Sequence, residues 1–173
     1  MTRPLKARIT HLEMTERPAA RIPMPLGQRV ALMRARDMPV SFYRYLYREI
    51  GKPHHWMLRR DTPDGELMEM IRSPATQIEV LYVDGCPAGF CELDLSRRPD
   101  EAEILYFGLM PDFQGRGLAK FFLSEGIHAA WDHEPARVTI HTNTLDSPRA
   151  LQLYQRMGFR PVGFDEEEVE PWV

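Results

Sequence analysis

Apolar residues recur along this 173-residue chain with two spacings, a period of two and a period near 3.6, and the changes between them mark out the elements. Alternation over 7–14 predicts a first strand, the proline-rich stretch 18–25 an extended connector, and 29–35 a second strand. Over 40–50 the spacing becomes helical, with Phe42, Leu46 and Ile50 on one face, Tyr43 and Tyr47 on an adjoining stripe, and Gly51 at the end. A Pro-Asp-Gly turn leads into a shorter helix over 65–71. Residues 78–83 and 89–95 read as a hairpin around Asp84-Gly85. A strand over 102–110 is stopped by Pro111-Asp112, and an apolar helix runs from 117 to about 133. A β-branched strand over 138–144 precedes a helix that starts at Pro148, capped by Asp146 or Ser147 and ended by Gly158. A closing strand falls within 160–169. The second half therefore reads β-β-β-α-β-α-β, which predicts a single α/β domain with a mixed sheet and helices on both faces.

Composition narrows the function classes. With 43% hydrophobic and 27% charged residues the chain reads as globular rather than disordered. A net charge of −3, with the acidic run Asp165 to Glu168 near the end, argues against nucleic acid or an anionic membrane as partner. No apolar run reaches membrane-spanning length, and residues 1–10 lack a signal-peptide core. Cys86 and Cys91 lack zinc-type spacing, and His54, His55, His128 and His133 have no carboxylate or thiol at ligand spacing, so the expectation is a reduced, cytoplasmic protein without a metal site. A homodimer is an open expectation for its assembly.

The candidate chemistry lies at the turn in 107–119, between a strand and a helix. Backbone N–H groups at such a helix start, with the helix dipole behind them, favour an anion. Gly115 and Gly117 keep side chains out of its way, and Arg116 adds charge. A P-loop would need a Lys-Ser/Thr pair, and a dinucleotide turn would need a glycine where Lys120 stands. The spacing Gln114-x-x-Gly117-x-Ala119 resembles the pyrophosphate signature of the GCN5-related N-acetyltransferase (GNAT) family. The string Ala150-Leu-x-x-Tyr154-x-x-x-Gly158-Phe159, about 30 residues further on, is similar to that family's other hallmark, in the same order.

The resemblance covers about residues 75–170, leaving 1–74 as a variable, acceptor-side segment of one acyl-CoA N-acyltransferase domain. It implies a splayed sheet with acetyl-CoA as co-substrate, its pyrophosphate held by Gln114, Gly115, Arg116, Gly117, Leu118 and Ala119. It also implies that the preceding strand bulges, with Gly108 well placed for the bulge, and that pantetheine pairs with backbone at Phe107 and Leu109. Asn143, at its strand end, is a further pantetheine contact, while Ser147 stands where the family usually has asparagine. The segment Ala102-Glu103-Ile104 resembles the strand that carries the general base in the histone-acetylating branch, which makes Glu103 the expected base.

Amide formation from a thioester needs a neutral amine, whereas an alkylamine titrates near ~10.4. A carboxylate on a half-buried strand can take that proton, and Glu92 on the neighbouring strand, or a water chain, is the rival. Tyr154 can hydrogen-bond the departing thiolate, while Tyr43, Tyr47 and Trp56 are expected along the acceptor wall. The expected function is direct transfer from acetyl-CoA to a primary amine, in a small molecule or a peptide, within a ternary complex. The alternatives are a non-catalytic acyl-CoA sensor, and transfer of another acyl group or to an alcohol.

Overall fold

The computed structural model describes residues 2–173. Seven strands, β1 (Leu5–Met14), β2 (Val30–Arg34), β3 (Thr76–Val83), β4 (Cys86–Asp94), β5 (Glu101–Leu109), β6 (Arg137–Asn143) and β7 (Arg160–Val169), form one sheet in the order β2-β3-β4-β5-β6-β1-β7. Four helices, α1 (Val40–Gly51), α2 (Asp64–Arg72), α3 (Leu118–Trp131) and α4 (Ala150–Arg156), cover its two faces. Every neighbouring pair of strands is antiparallel except β5 and β6. The mixed α/β architecture with helices on both faces is the expected one.

Local chemistry explains the boundaries. Asp84 and Gly85 both have positive φ, 51° and 79°, so the Asp-Gly pair supplies the two left-handed residues a tight hairpin between β3 and β4 requires. Gly158, at φ 107°, turns the chain out of α4 into β7. On α1 the buried stripe is Tyr43, Leu46, Tyr47 and Ile50, so the core-facing side is rotated from the expected Phe42 face towards the tyrosines. α4 starts later than expected. Its N-cap position is Arg149, with no side-chain cap, while Pro148 stands outside the helix. The carboxylate of Asp146 instead accepts from the Thr142 hydroxyl and the Asn143 amide, at 2.8 and 2.9 Å, closing the turn after β6.

Two hydrophobic cores lie on opposite faces of the sheet. One packs α3 and Tyr154 of α4 against Leu12, Leu93, Ile104 and Ile140, and the other packs α1 and α2 against Ile78, Val80, Phe90 and Tyr106. Burying side chains of this size stabilises by about 1.5–3 kcal/mol each. The acceptor-side segment contributes to the sheet itself, because β1 lies between β6 and β7.

The sheet opens at its centre. The β5–β6 ladder runs from Glu101–Arg137 to Ile104–Ile140 and stops there, although β5 continues to Leu109 and β6 to Asn143. On the other side of β5, Glu92 pairs with Tyr106 and Leu93 with Ile104, which leaves Leu105 as the extra residue of a bulge. The bulge therefore falls three residues before the expected Gly108. Gly108 is needed for a different reason, since a Cβ there would come within 2.4 Å of Ile50 on α1. Past the bulge the outer edge of β5 turns away from β6, and its backbone groups there face an open cleft.

Candidate active site

The cleft encloses about 1110 Å³ between the splayed strands, with β5, β6 and β1 along one wall and the start of α3 and α4 along another. Of the residues expected to bind a cofactor, Phe107, Leu109, Gln114, Gly115, Gly117, Leu118, Ala119 and Asn143 all line it. Arg116 does not. Its guanidinium stacks 4.9 Å over the Phe113 ring, and its backbone carbonyl accepts from Gln28 at 3.0 Å.

At the base of the opening Gly115 and Gly117 have φ of 74° and 76°, a backbone that glycine adopts without penalty. A Cβ on either would meet nothing within 4 Å, so the space before them is free for a ligand. Gly117 is the N-cap of α3 and offers no side-chain cap, which leaves the first-turn N–H groups as free donors. This arrangement fits a pyrophosphate. Lys120, at the start of α3, and Arg149 and Arg156 of α4 and its cap also line the cleft, three cations that motif spacing did not single out.

Tyr154 reaches the cleft from α4, packed against Phe159, and its hydroxyl has no hydrogen-bond partner among the described residues. Burial pushes its ionisation well above that of a free tyrosine, so the group is a neutral O–H donor. Asn143 has its side-chain oxygen committed to the amides of Leu145 and Asp146, at 2.9 and 3.2 Å, and its amide nitrogen lies 3.4 Å from Glu167.

On the opposite face of the sheet, towards α1, titratable groups meet at the mouth of the opening. Glu103 is bonded by Arg97 at 2.5 Å through one oxygen, and its other oxygen lies 3.4 Å from Nδ1 of His141. His11 on β1, directly across from His141, bonds Asp165 on β7 at 2.7 Å. The Glu103 carboxylate beside His141 raises that imidazole's pKa, against the opposing pull of burial. The expected rival Glu92 is elsewhere. It is fully buried in the α1 core, bonded to Arg59 and to the Tyr43 hydroxyl, and does not line the cleft. Burial drives its carboxyl up, opposed by Arg59 and the tyrosine. Tyr47 and Trp56 line the cleft as expected of an acceptor wall, whereas Tyr43 is turned away into the network around Glu92.

The model of the acetyltransferase (GNAT) family matches residues 35–159. The chain belongs to the GNAT family. Its fold is shared with a putative GNAT acetyltransferase from Novosphingobium aromaticivorans, 18% identical, TM-score 0.65, covering 96% of this chain and 65% of that one. A GCN5-related N-acetyltransferase from Kribbella flavida is 14% identical, TM-score 0.63, with 94% and 58% coverage. This GNAT chain thus spans two thirds or less of the length of those structures. An aminoglycoside N-acetyltransferase in complex with CoA is 18% identical, TM-score 0.57, with 87% and 96% coverage. At these identities the likeness is one of fold. No curated protein matches this GNAT chain in sequence. Among the described residues no helix is long and apolar enough to cross a membrane.

Proposed function

We propose that the protein transfers an acetyl group from acetyl-CoA to a primary amine by direct attack in a ternary complex. The observation that carries this reading is the ladder that ends at Ile104–Ile140 with the uncapped start of α3 at its base. The freed backbone of β5 offers hydrogen bonds to an amide-bearing arm, and the α3 N–H groups to a pyrophosphate. Lys120, Arg149 and Arg156 supply further positive charge for the phosphates.

Bound acetyl-CoA would supply an activated acyl carbon. The chain's own groups do the rest. The donors at the bulge polarise the acyl oxygen, Tyr154 donates to the sulfur as it gains charge, and the Glu103–His141 pair faces the amine. A tyrosine near pKa 10 would give a proton to a thiolate near ~8.5 only uphill by about 2 kcal/mol, and burial increases that gap, so Tyr154 acts by hydrogen bonding. Acidic groups at the α1-side mouth, Glu103, Asp165 and Glu167, favour a cationic acceptor over an anionic one. Among the described residues no cysteine lines the cleft, which supports direct attack over a covalent acyl-enzyme.

Thiol release from acetyl-CoA, followed across kanamycin, spermidine and a peptide with a free N-terminus, tests the reading. Release dependent on one of these amines is expected. Thermal stabilisation by CoA with no release from any of them would favour the alternative, an acyl-CoA sensor.

A further inference from the structure

We propose that His141 is the group that takes the proton from the acceptor amine, and that Glu103, held by Arg97, positions its imidazole. This assignment rests on the N-acetyltransferase reading above and refines the role expected of Glu103. Three observations carry it. Both Glu103 oxygens are engaged, one by the Arg97 guanidinium at 2.5 Å and the other beside His141 Nδ1 at 3.4 Å. A carboxylate so occupied is better suited to orient a neighbour than to meet a substrate. His141 is the first residue of β6 beyond the last rung of the β5–β6 ladder, so it stands where the two strands part. With Nδ1 turned towards Glu103, the proton of the neutral ring belongs on Nδ1 and the free lone pair on Nε2, and no described residue bonds Nε2.

The charged groups around the ring come from every neighbouring strand. Glu103 faces it from β5 with Arg97 behind, and His11 from β1, ring centres 6.3 Å apart, with Asp165 of β7 on its far side. Glu167 of β7 and Asp146 of the loop after β6 act from further away. The carboxylates together outweigh burial and raise the imidazole's affinity for a proton, bringing it nearer to that of an ammonium group.

The step balances as follows. His141 Nε2 takes one proton from the ammonium group, freeing the nitrogen lone pair. That pair forms the C–N bond at the acyl carbon. As the adduct collapses the C–S bond breaks, and its electrons go to the sulfur beside the Tyr154 hydroxyl. The second nitrogen proton ends on the thiolate, and His141 returns its own to solvent.

Histidine NMR titration and pH–rate profiles of wild type, His141→Gln and Glu103→Gln, with the three amines named above, test this. In wild type, kcat/KM is expected to rise with pH along one ionisation that coincides with the titration of His141. His141→Gln should lose that limb and about 10²–10⁴-fold in rate at neutral pH, recovering at high pH where the amine deprotonates unaided. Glu103→Gln should keep the limb but move it to lower pH, together with the NMR titration of His141, and lose about 10-fold. The assignment is overturned if Glu103→Gln abolishes the limb while His141→Gln retains it. If wild type acetylates none of the amines, the transferase reading fails first. The pairing is then decided by NMR alone, being upheld if Glu103→Gln lowers the His141 titration and overturned if it does not.

Discussion

Glu92 and Arg59 offer the sharpest quantitative test of this structure. Their side chains are 1% and 8% exposed, and the Tyr43 hydroxyl closes the group at 2.7 Å from Glu92 and 2.8 Å from Arg59. The pair ties the connector between α1 and α2 to β4, and that connector carries Trp56 and Met57 to the cleft. Glu92→Gln keeps the shape but leaves the guanidinium buried without a counter-charge. Two charges about 4 Å apart at an effective dielectric of about 20 attract by about 4 kcal/mol. That agrees with the 3–5 kcal/mol, on the order of measured losses, for breaking a buried pair from one side. For a domain of this size each kcal/mol lowers the thermal midpoint by about 2–4 °C, so a fall of about 6–20 °C is expected. Urea unfolding would give the free energy directly. The double change Glu92→Leu with Arg59→Met removes both charges and should recover most of the loss. A Glu92→Gln variant within about 1 kcal/mol of wild type would refute the desolvated pair. The double variant, once folded, should still turn over, because neither residue lines the cleft. A folded but inactive double variant would mean that the connector needs this pair to hold Trp56 and Met57 at the cleft.

Tyr154→Phe should lower kcat by about 10- to 150-fold, the worth of a hydrogen bond to a charged group, and leave the Kd for CoA unchanged by calorimetry. Equal losses in kcat and CoA affinity would place the hydroxyl elsewhere. Gly117→Ala and Gly85→Ala both force a side chain into positive φ, at 76° and 79°, with nothing within 4 Å, so both should lose about 1–2 kcal/mol of stability. Only Gly117→Ala should also shrink the thermal shift produced by CoA. His141 has a raised folded pKa, so its pairing with Glu103 stabilises fully below the unfolded value of about 6.5 and fades as pH rises through the folded value. The stability gap between wild type and His141→Gln should therefore narrow in urea unfolding as pH rises from about 6.5 through the raised folded value.

Local chemistry made most of the fold legible. The elements over 40–50, 65–71 and 160–169 fall within a residue or two of α1, α2 and β7, because each is bounded by glycine, proline or a change of period. The Gln114 to Ala119 turn was legible for the same reason, since its glycines and the apolar start of α3 are adjacent in sequence. What was not legible depends on residues far apart in the chain. The bulge at Leu105 is set by register against β4, and Gly108 answers to Ile50 on α1. Glu92 read as a strand carboxylate near the acceptor, because nothing local reveals that Arg59, 33 positions away, meets it in the core. Asp146 read as a helix cap, but Thr142 on the strand before it competes for the same carboxylate. His141, one of six histidines, carries no local signal, because its partner Glu103 joins it only through the parallel pairing of β5 with β6.

The place of β1 in the sheet has a consequence for how the chain is made. Of the seven strands β1 is made first, yet its neighbours are β6 and β7, with Ile9 opposite Asn143 and Leu5 opposite Val169. At about 5–20 residues per second, its second partner is completed about 8–31 seconds after β1 itself. Until β6 is made, a strand bearing Ile9, Leu12 and Met14 has both edges unpaired and must be kept from joining other chains. The wall of the cleft that carries His11 comes into being only once β6 and β7 have followed it.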